Sequence, residues 1–374
     1  MNNRRPTLVG CLGIVALGAA LSTLSASALA APSVPVVINP GLRQFAPPNL
    51  NIGVALPGDF LARLDSQAIV VKNFNQIATD NLMKMKFMHP EEDTYTFSTA
   101  DAYADFAKAN HMLLHGHTLI WHSDYQVPDF MKNYPGGKAE FLAMLKSHVT
   151  TIVTHFSGKV TSWDVVNEAI DDSGIYRDSV FYRKSGTDFI DQAFINARAA
   201  DRNADLYYND YSIEQHGVKF AFLKKMLDGM LARHVPVSGI GFQMHVQLDF
   251  PEIAAIRSAF REIVARGLKV RISELDVTLN NPDTSGFVFA SLTGQAAQLQ
   301  KKRYCEIVKT YLETVPAALR GGITVWGIRD SESWILGLDK WQGHPDWPLL
   351  FDQNGREKAA FYGVRSALES KSCS

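Results

Sequence analysis

Eight short apolar runs alternate along the chain with stretches of helical spacing. This alternation is the strongest constraint on the fold. Buried parallel strands form continuous apolar runs, because helices cover both faces of their sheet. The runs lie at residues 52–56, 82–87, 112–121, 160–167, 206–209, 240–245, 268–275 and 323–328. Helical patterns lie between them at residues 100–110, 140–155, 189–200, 219–233, 253–266 and 295–312.

This alternation predicts parallel strands, because a helix carries the chain back to the start of the next strand. Eight units within residues 50–370 predict an α/β fold, a (β/α)8 TIM barrel in a single domain. The alternative is an open, doubly wound sheet. No G-x-G-x-x-G motif follows any of the apolar runs, so a dinucleotide site is not predicted.

The first 30 residues have the pattern of a secretory signal peptide. Arg4 and Arg5 precede a mostly apolar stretch at residues 8–24, and small residues at 28–30 form a cleavage motif. We expect cleavage after Ala30 and secretion to the periplasm or the medium. Residues 31–49 contain several prolines and lack periodicity, which predicts a surface leader ahead of the domain at 50–370.

The balance of charges argues against several classes of partner. The chain has 37 Lys and Arg against 38 Asp and Glu, which favours a neutral ligand over nucleic acid. No run after the signal peptide reaches the ~18 apolar residues of a membrane span. Nothing in the pattern indicates an oligomer, so we expect a monomer. Cys305 and Cys373 can form a disulfide if they lie close together, which the sequence leaves open.

Reactive side chains of such barrels lie at the C-terminal ends of the strands. Unusual polar and aromatic residues of this chain fall at those ends: Lys84, His117, Trp121, Asn167, Glu168, Asn209, Asp210, Gln243, His245, Glu274, Asp276, Trp326 and Asp330. Polar residues placed at random would not collect at one end of nearly every strand. We therefore predict one functional site at this rim.

Two glutamates, Glu168 and Glu274, each end an apolar run. Carboxylates are costly to bury, so a buried strand end that carries one needs a reason. Glycoside hydrolysis needs two such groups, one to protonate the leaving oxygen and one to attack the sugar or activate water. Either glutamate alone is better explained as a strand-end acid paired to Arg or Lys, but the two together favour this chemistry.

The neighbours of Glu274 predict how its charge is held. Asp276 lies two residues further along, and therefore on the same side of the strand. Two carboxylates this close repel each other. His245, at the end of the preceding strand, is expected to lie between them and share the charge, with Gln243 on the same face.

Glu168 has different neighbours. Asn167 precedes it and is expected to bind a sugar hydroxyl. A general acid needs a raised pKa, so we expect a dry site walled by aromatic rings, for which Trp121, Trp326 and Trp334 are candidates. Trp163 is expected in the core.

Three histidines allow a second interpretation. His115, His117 and His122 form a His-x-His pattern with a third histidine, which would suit a metal-dependent hydrolase with Glu274 or Asp276 as a further ligand. No Cys or further His-rich loop supports this, and we expect a mechanism without metal or cofactor.

Five motifs together identify a resemblance to the family-10 glycoside hydrolases, the retaining endo-β-1,4-xylanases, over residues 51–367. They are GHTLIWH at 116–122, WDVVNEA at 163–169, GIGFQMH at 239–245, ISELD at 272–276 and WGIRDSESW at 326–334. The resemblance implies that Glu168 is the acid/base, that Glu274 is the nucleophile, and that xylan or xylo-oligosaccharides are the substrate. It also implies retention of configuration, with carboxyls about 5–5.5 Å apart.

The resemblance also implies a set of sugar-binding residues on the glycone side, the non-reducing side of the cleaved bond. They are Asn81, Lys84, His117, Asn167, Gln243, Trp326 and Trp334, and we add Asp80, Trp121 and Gln126. Two departures from the family pattern fall here: Asp80 replaces a glutamate, and Asp124 and Tyr125 precede Gln126 as an apparent insertion. In the family that glutamine helps to exclude sugars with a hydroxymethyl group. A glycanase for another β-1,4 backbone is therefore the alternative enzyme, and a non-catalytic saccharide-binding barrel is the alternative outside enzymes.

Overall fold

The computed structural model describes residues 40–374, and within them the strands form one parallel sheet. The strands are β1 (Ile52–Leu56), β2 (Gln76–Thr79), β3 (Leu113–Trp121), β4 (Val160–Asn167), β5 (Asp205–Asp210), β6 (Gly239–Phe242), β7 (His245–Gln247), β8 (Lys269–Thr278) and β9 (Arg320–Val325). Pairing of β1 with β9 and of β6 with β8 closes the sheet. Since β6 and β7 both pair with β8, they are two pieces of one barrel strand, and the predicted eight-stranded TIM barrel is confirmed.

Helices surround this barrel. They are α1 (Leu64–Asn73), α2 (Met85–Met88), α3 (Ser98–Ala109), α4 (Asp129–Lys132), α5 (Lys138–Phe156), α6 (Val180–Ser185), α7 (Asp188–Ala200), α8 (Val218–Ala232), α9 (Ile253–Val264), α10 (Gly294–Thr314) and α11 (Ala359–Leu368). The six predicted helices match α3, α5, α7, α8, α9 and α10 to within two residues at each end. Helix α9 shows why: Ile256, Ala259, Phe260 and Ile263 recur at helical spacing and form its buried face.

The second predicted strand, residues 82–87, was wrong. Strand β2 is Gln76–Thr79, and the predicted range overlaps α2. The apolar residues there, Met83 and Met85, are fully buried in the core but lie beyond the strand end. Strand β2 was missed because two of its four residues are polar; the Gln76 side chain accepts a hydrogen bond from the buried Arg271 in the barrel interior.

The sixth predicted strand, residues 240–245, is interrupted. Met244 adopts a positive φ of 63°, which strand residues do not, and so separates β6 from β7. The break turns Gln243 and His245 toward the C-terminal rim. A periodicity argument cannot detect it, because the interruption is a single backbone angle in an otherwise apolar run.

The predicted surface leader, residues 31–49, needs a correction where it is described. Leu42 is fully buried in the hydrophobic core, and its backbone N–H is bonded to the Asn73 side chain at the end of α1. The packed domain therefore begins earlier than residue 50. The predicted signal peptide at 1–30 and residues 31–39 lie outside the described residues.

Cys305 and Cys373, whose pairing the sequence left open, form a disulfide with a Cα–Cα distance of 5.4 Å. The bond ties the chain after α11 to the middle of α10, across 68 residues of sequence. Trp163 is fully buried, as expected. Among residues 40–374, no helix combines the length and hydropathy needed to span a bilayer.

Candidate active site

A cavity of about 560 Å³ opens at the C-terminal ends of the strands. Its lining comprises Asp80, Asn81, Lys84, His117, Trp121, Tyr125, Asn167, Glu168, Tyr211, Ser212, Gln243, His245, Glu274, Trp326 and Trp334. The barrel therefore brings together twelve of the fourteen residues that the sequence predicted to act in catalysis or sugar binding. The other two, Asp276 and Gln126, lie just behind the lining, where Asp276 contacts His245 and Gln126 contacts Asn81.

Glu168 directly follows β4 and receives hydrogen bonds from three side chains besides that of the adjoining Asn167. Trp121 Nε1 lies 2.8 Å and His122 Nε2 3.1 Å from its Oε2, and Gln243 Nε2 donates to its Oε1 over 2.8 Å. The backbone N–H of Glu168 donates to the carbonyl of Asn209 on β5. The carboxyl is therefore held by residues at and just beyond the ends of β3 and β6, and the Glu168 backbone is held by β5.

The expected raised pKa of Glu168 is not found. Burial alone would raise it, but the hydrogen bonds from His122, Gln243 and Trp121 together outweigh burial and lower the pKa to about 2. These hydrogen bonds thus favour the carboxylate form of Glu168.

Glu274 lies within β8 and points into the same cavity. Asn209 Nδ2 donates to its Oε1 over 2.7 Å, and His245 Nε2 lies 3.4 Å from its Oε2. The backbone N–H of Glu274 donates to the carbonyl of Gln243 at the break between β6 and β7. The carboxylate is thus held by side chains of β5 and β7, and its backbone by a residue between β6 and β7.

His245 lies between two carboxylates, as predicted. Its Nδ1 is 2.8 Å from Asp276 Oδ2, which also accepts a 3.0 Å bond from Trp334 Nε1. Burial would lower the pKa of His245, but Asp276 and Glu274 outweigh it and raise the pKa to about 10. The imidazole is therefore a cation at neutral pH and compensates the charge of the two carboxylates beside it.

A chain of amides joins the two glutamates. Asn209 Nδ2 donates to Asn167 Oδ1 over 2.8 Å as well as to Glu274, and Asn167 Nδ2 donates to Glu168 Oε1 over 3.2 Å. Ser273 Oγ donates to Asn209 Oδ1 and so fixes which end of that amide faces Glu274. Movement of either carboxyl is therefore resisted by groups that also hold the other.

One wall of the cavity carries the polar residues of the loop after β2. Asn81 Oδ1 accepts bonds from Lys84 Nζ at 3.2 Å and from Gln126 Nε2 at 3.3 Å. Gln126 is therefore next to Asn81 despite the two preceding residues, but it does not line the cavity. Tyr125 lines it instead, with its ring edge-on to Trp121 at 5.5 Å. Burial raises the pKa of the neighbouring Asp80.

The three histidines of the alternative metal interpretation are divided between two clusters. His115 and His117 both contact Asp164, at 3.0 and 2.8 Å, while His122 faces Glu168. In the part of the chain that the structure describes, no three His, Cys, Asp or Glu side chains are arranged to hold a metal ion. His117 also packs edge-on against Trp326, with ring centroids 5.2 Å apart.

The sequence argument gave no catalytic or sugar-binding role to five residues that the structure places at the site, although it named Asn209 at the rim and His122 as a possible metal ligand. His122 and Asn209 bond the two glutamates, and Tyr125, Tyr211 and Ser212 line the cavity. Position alone identifies Asn209 and Tyr211, which lie at the end of β5 and just beyond it. Tyr125 carries no such signal, because it lies in an irregular loop.

The sequence profile described as Glycosyl hydrolase family 10 matches residues 41–367. The chain belongs to glycosyl hydrolase family 10. An endo-β-1,4-xylanase of Cellvibrio japonicus, Xyn10C, is 46% identical over 352 residues, covering 89% of this chain and 58% of its own. Endo-1,4-β-xylanase B of Thermotoga neapolitana is 35% identical over 326 residues, covering 86% of this chain and 90% of its own.

Solved structures of the family have the same fold. Native xylanase10C from Cellvibrio japonicus gives a TM-score of 0.88 at 46% identity, over 89% of this chain and 73% of that one. A mutant of that xylanase in complex with xylopentaose gives 0.87 at 45% identity, over 90% and 70%. The present chain spans 58% and 57% of the length of two curated relatives from Cellvibrio japonicus.

The His245 cluster predicts a pH-dependent contribution to stability. The pKa of His245 is raised to about 10 in the folded protein. Its contribution to the free energy of unfolding is therefore fully present below the pKa that it has in the unfolded chain, and is lost as pH rises through about 10. We expect His245→Asn to lower the free energy of unfolding by roughly 3 kcal/mol at pH 6 and by clearly less above pH 10. Urea unfolding at several pH values measures this.

His216→Asn is the matched control, because His216 also pairs with a carboxylate, Glu262, but at a more exposed position. We expect a smaller destabilisation there. An equal loss of stability for His245→Asn at pH 6 and above pH 10 would contradict the charge cluster.

Proposed function

We propose that this protein is a retaining endo-β-1,4-xylanase. The observation that carries the proposal is that Glu168 and Glu274 face one cavity in unequal surroundings. Glu274 lies beside a cationic His245, whereas the side-chain bonds to Glu168 come from His122, Trp121, Gln243 and the adjoining Asn167. Retaining glycosidases need this division between a nucleophile and a proton carrier.

In the first half of the proposed reaction, a Glu274 carboxylate oxygen attacks the anomeric carbon C1 of the bound sugar. The bond between C1 and the glycosidic oxygen breaks, and Glu168 gives its proton to that oxygen as the leaving chain departs. His245 and Asn209 hold the Glu274 carboxylate in place. The product is a glycosyl ester on Glu274.

In the second half, Glu168 acts as a base. Its carboxylate takes a proton from a water molecule, whose oxygen attacks C1 and displaces Glu274, so the configuration is retained. This step starts from the carboxylate form of Glu168, which its low pKa favours. The low value also means that the first half depends most on how substrate changes the surroundings of Glu168.

The proposed substrate is xylan. The curated relatives above are named endo-β-1,4-xylanases, and one family structure holds xylopentaose. In this chain, five tryptophan and tyrosine side chains and several amides line the cavity that contains the glutamates, which suits stacking and hydrogen bonding to a neutral sugar chain. Lys84 Nζ, 4.7 Å from the Trp121 ring centroid, adds a donor on the glycone wall.

Glutamate variants test the mechanism. We expect Glu274→Ala to abolish turnover of xylan while the protein still folds, because no other group can form the ester. Glu168→Ala is expected to lose roughly 10²–10⁴-fold in kcat/KM on xylan and much less in kcat/KM on aryl xylosides with good leaving groups, because ester formation from these needs no protonation. Reducing-sugar release and aryl release measure the two activities, and circular dichroism checks the fold.

Two results would argue against these roles. Wild-type-like turnover by Glu274→Ala would exclude it as the nucleophile. Equal losses by Glu168→Ala on xylan and on activated aryl substrates would exclude it as the acid. Sodium azide, which replaces the base-activated water as a nucleophile, is expected to restore turnover of activated substrates by Glu168→Ala and to give a glycosyl azide of retained configuration, because it attacks the ester on Glu274.

A panel of β-1,4 polysaccharides tests the backbone preference. We expect release of sugar from soluble xylan to exceed release from carboxymethylcellulose and mixed-linkage glucan, because Gln126 remains next to Asn81 and Tyr125 adds bulk to the same wall. Glu274→Ala gives the background for each polymer. Faster release from a glucan would assign the enzyme to another backbone, and binding without release would assign a saccharide-binding role.

We also propose secretion after cleavage at Ala30. The Arg4, Arg5 and apolar pattern supports it, and the disulfide between Cys305 and Cys373 suits an oxidising compartment. N-terminal sequencing of protein from a host that expresses the full chain is expected to begin at Ala31. Retention of Met1 in protein found only inside the cell would contradict this proposal.

A further inference from the structure

The two glutamates divide the rim of the barrel into two halves. Glu168 follows β4 and Glu274 lies on β8, and the sheet order places β5, β6 and β7 on one side of the line between them and β9, β1, β2 and β3 on the other. Asn81, Lys84, His117 and Trp326 are on the second side, which the proposed function assigns to the glycone. The cavity residues just after β5, Tyr211 and Ser212, therefore face the leaving sugar.

Arg177, in the loop after β4, holds the backbone of that loop. Its Nε donates to the carbonyl of Glu168 over 3.1 Å, and its Nη2 donates to the carbonyl of Ile170 over 3.1 Å. The Arg177 backbone N–H also donates to the carbonyl of Ala169. Arg177 thus binds three successive carbonyls, those of Glu168, Ala169 and Ile170.

The Glu168 backbone needs such support. Its φ is +56°, in the left-handed region, which a residue with a side chain adopts only at a cost of roughly 1 kcal/mol or more. The orientation of the Glu168 side chain depends on this conformation, because φ sets the direction in which Cβ leaves the backbone. A group that holds the Glu168 carbonyl therefore controls where the carboxyl points.

Arg177 also contacts the leaving-side wall. The same Nη2 donates to the Tyr211 hydroxyl oxygen over 3.1 Å. Lys219 Nζ lies 3.4 Å from the centroid of the Tyr211 ring and 2.9 Å from buried Asp210, whose Oδ1 accepts the Tyr211 backbone N–H. The ring is thus held by two cations, one of which also binds the Glu168 carbonyl.

We propose that Arg177 is a positioning residue, which transmits the position of Tyr211, and hence of the leaving sugar beside it, to the backbone that aims Glu168. This rests on the acid/base role of Glu168 proposed above. A sugar that displaces the Tyr211 hydroxyl shifts a bond of the guanidinium that also holds the Glu168 carbonyl. Proton donation is therefore tied to occupancy of the leaving side, where the chain that needs the proton is bound.

The variants Arg177→Lys and Tyr211→Phe test this coupling. Arg177→Lys keeps the charge but cannot reach three acceptors, and Tyr211→Phe removes only the hydroxyl. We expect Arg177→Lys to lower kcat on xylan roughly 10- to 100-fold through misplacement of the acid. With a dinitrophenol leaving group on an aryl xylobioside, formation of the ester on Glu274 needs no proton, so we expect kcat/KM, which reports that step, to change by less than about threefold.

Two further readouts separate positioning from a general structural role. Across aryl xylobiosides, kcat/KM is expected to depend more steeply on the pKa of the leaving phenol in Arg177→Lys than in wild type. Tyr211→Phe is expected to show the same change at smaller amplitude, and the double variant is expected to lose less than the product of the single losses, since both act through one guanidinium. Arg183→Lys, an exposed arginine of α6 that binds the carbonyl of Asp178, is the matched control and is expected to be unchanged.

Equal losses on xylan and on the dinitrophenyl substrate, or an unchanged leaving-group dependence in both Arg177→Lys and Tyr211→Phe, would overturn the proposal. Either result leaves the proposed function intact as long as wild type releases sugar from xylan and Glu274→Ala does not. Failure of wild type to act on xylan would overturn the proposed function instead. Because Tyr211→Phe removes one oxygen atom from a chain that otherwise packs identically, the test does not depend on the folding of Arg177→Lys.

Discussion

The pairing of β1 with β9 closes the sheet, and the rest of the structure depends on that closure. Ile52 to Val54 pair in parallel with Ile323 to Val325, so the first and last strands of the barrel are neighbours. All strands then end at one rim. Glu168 and Glu274, 106 residues apart in sequence, meet there because their strands lie across the barrel from each other. An open sheet would leave them at separate points along an edge.

Burial of two carboxylates in one cavity is the main electrostatic cost of this arrangement, and the protein meets it differently for each. Glu274 has a cationic imidazole and an amide beside it. Glu168 is bonded by an indole, an amide and His122. The positively charged His245, which also contacts Asp276, anchors Glu274. Glu168 is held instead by hydrogen bonds that a bound ligand can rearrange. These contacts thus stabilise the fold and also give the two glutamates different surroundings.

Strands hold some of the residues at the rim, and the loop after β4 carries others. Asn209, Gln243 and Glu274 lie in the barrel wall or at its single break, where neighbouring strands fix them. The loop after β4 instead reaches over the rim and is fastened by Arg177 to its own first residues and to Tyr211. Asn209, Gln243 and Glu274 are therefore held by the sheet, and Glu168, the proposed acid/base, lies at the junction of sheet and loop.

The sequence alone was enough to determine the barrel, its six main helices and the polar rim, because each depends on local periodicity or on a costly residue at a strand end. It also carried the motifs that placed the chain in its family. It failed at β2, where polar residues form a strand because Arg271 satisfies one of them inside the barrel. Only the tertiary structure decided the bonds of His122 and Asn209, the disulfide of Cys305 with Cys373, and the low pKa of Glu168. These depend on distances between side chains remote in sequence, and such distances exist only once the closed sheet has fixed where each strand ends.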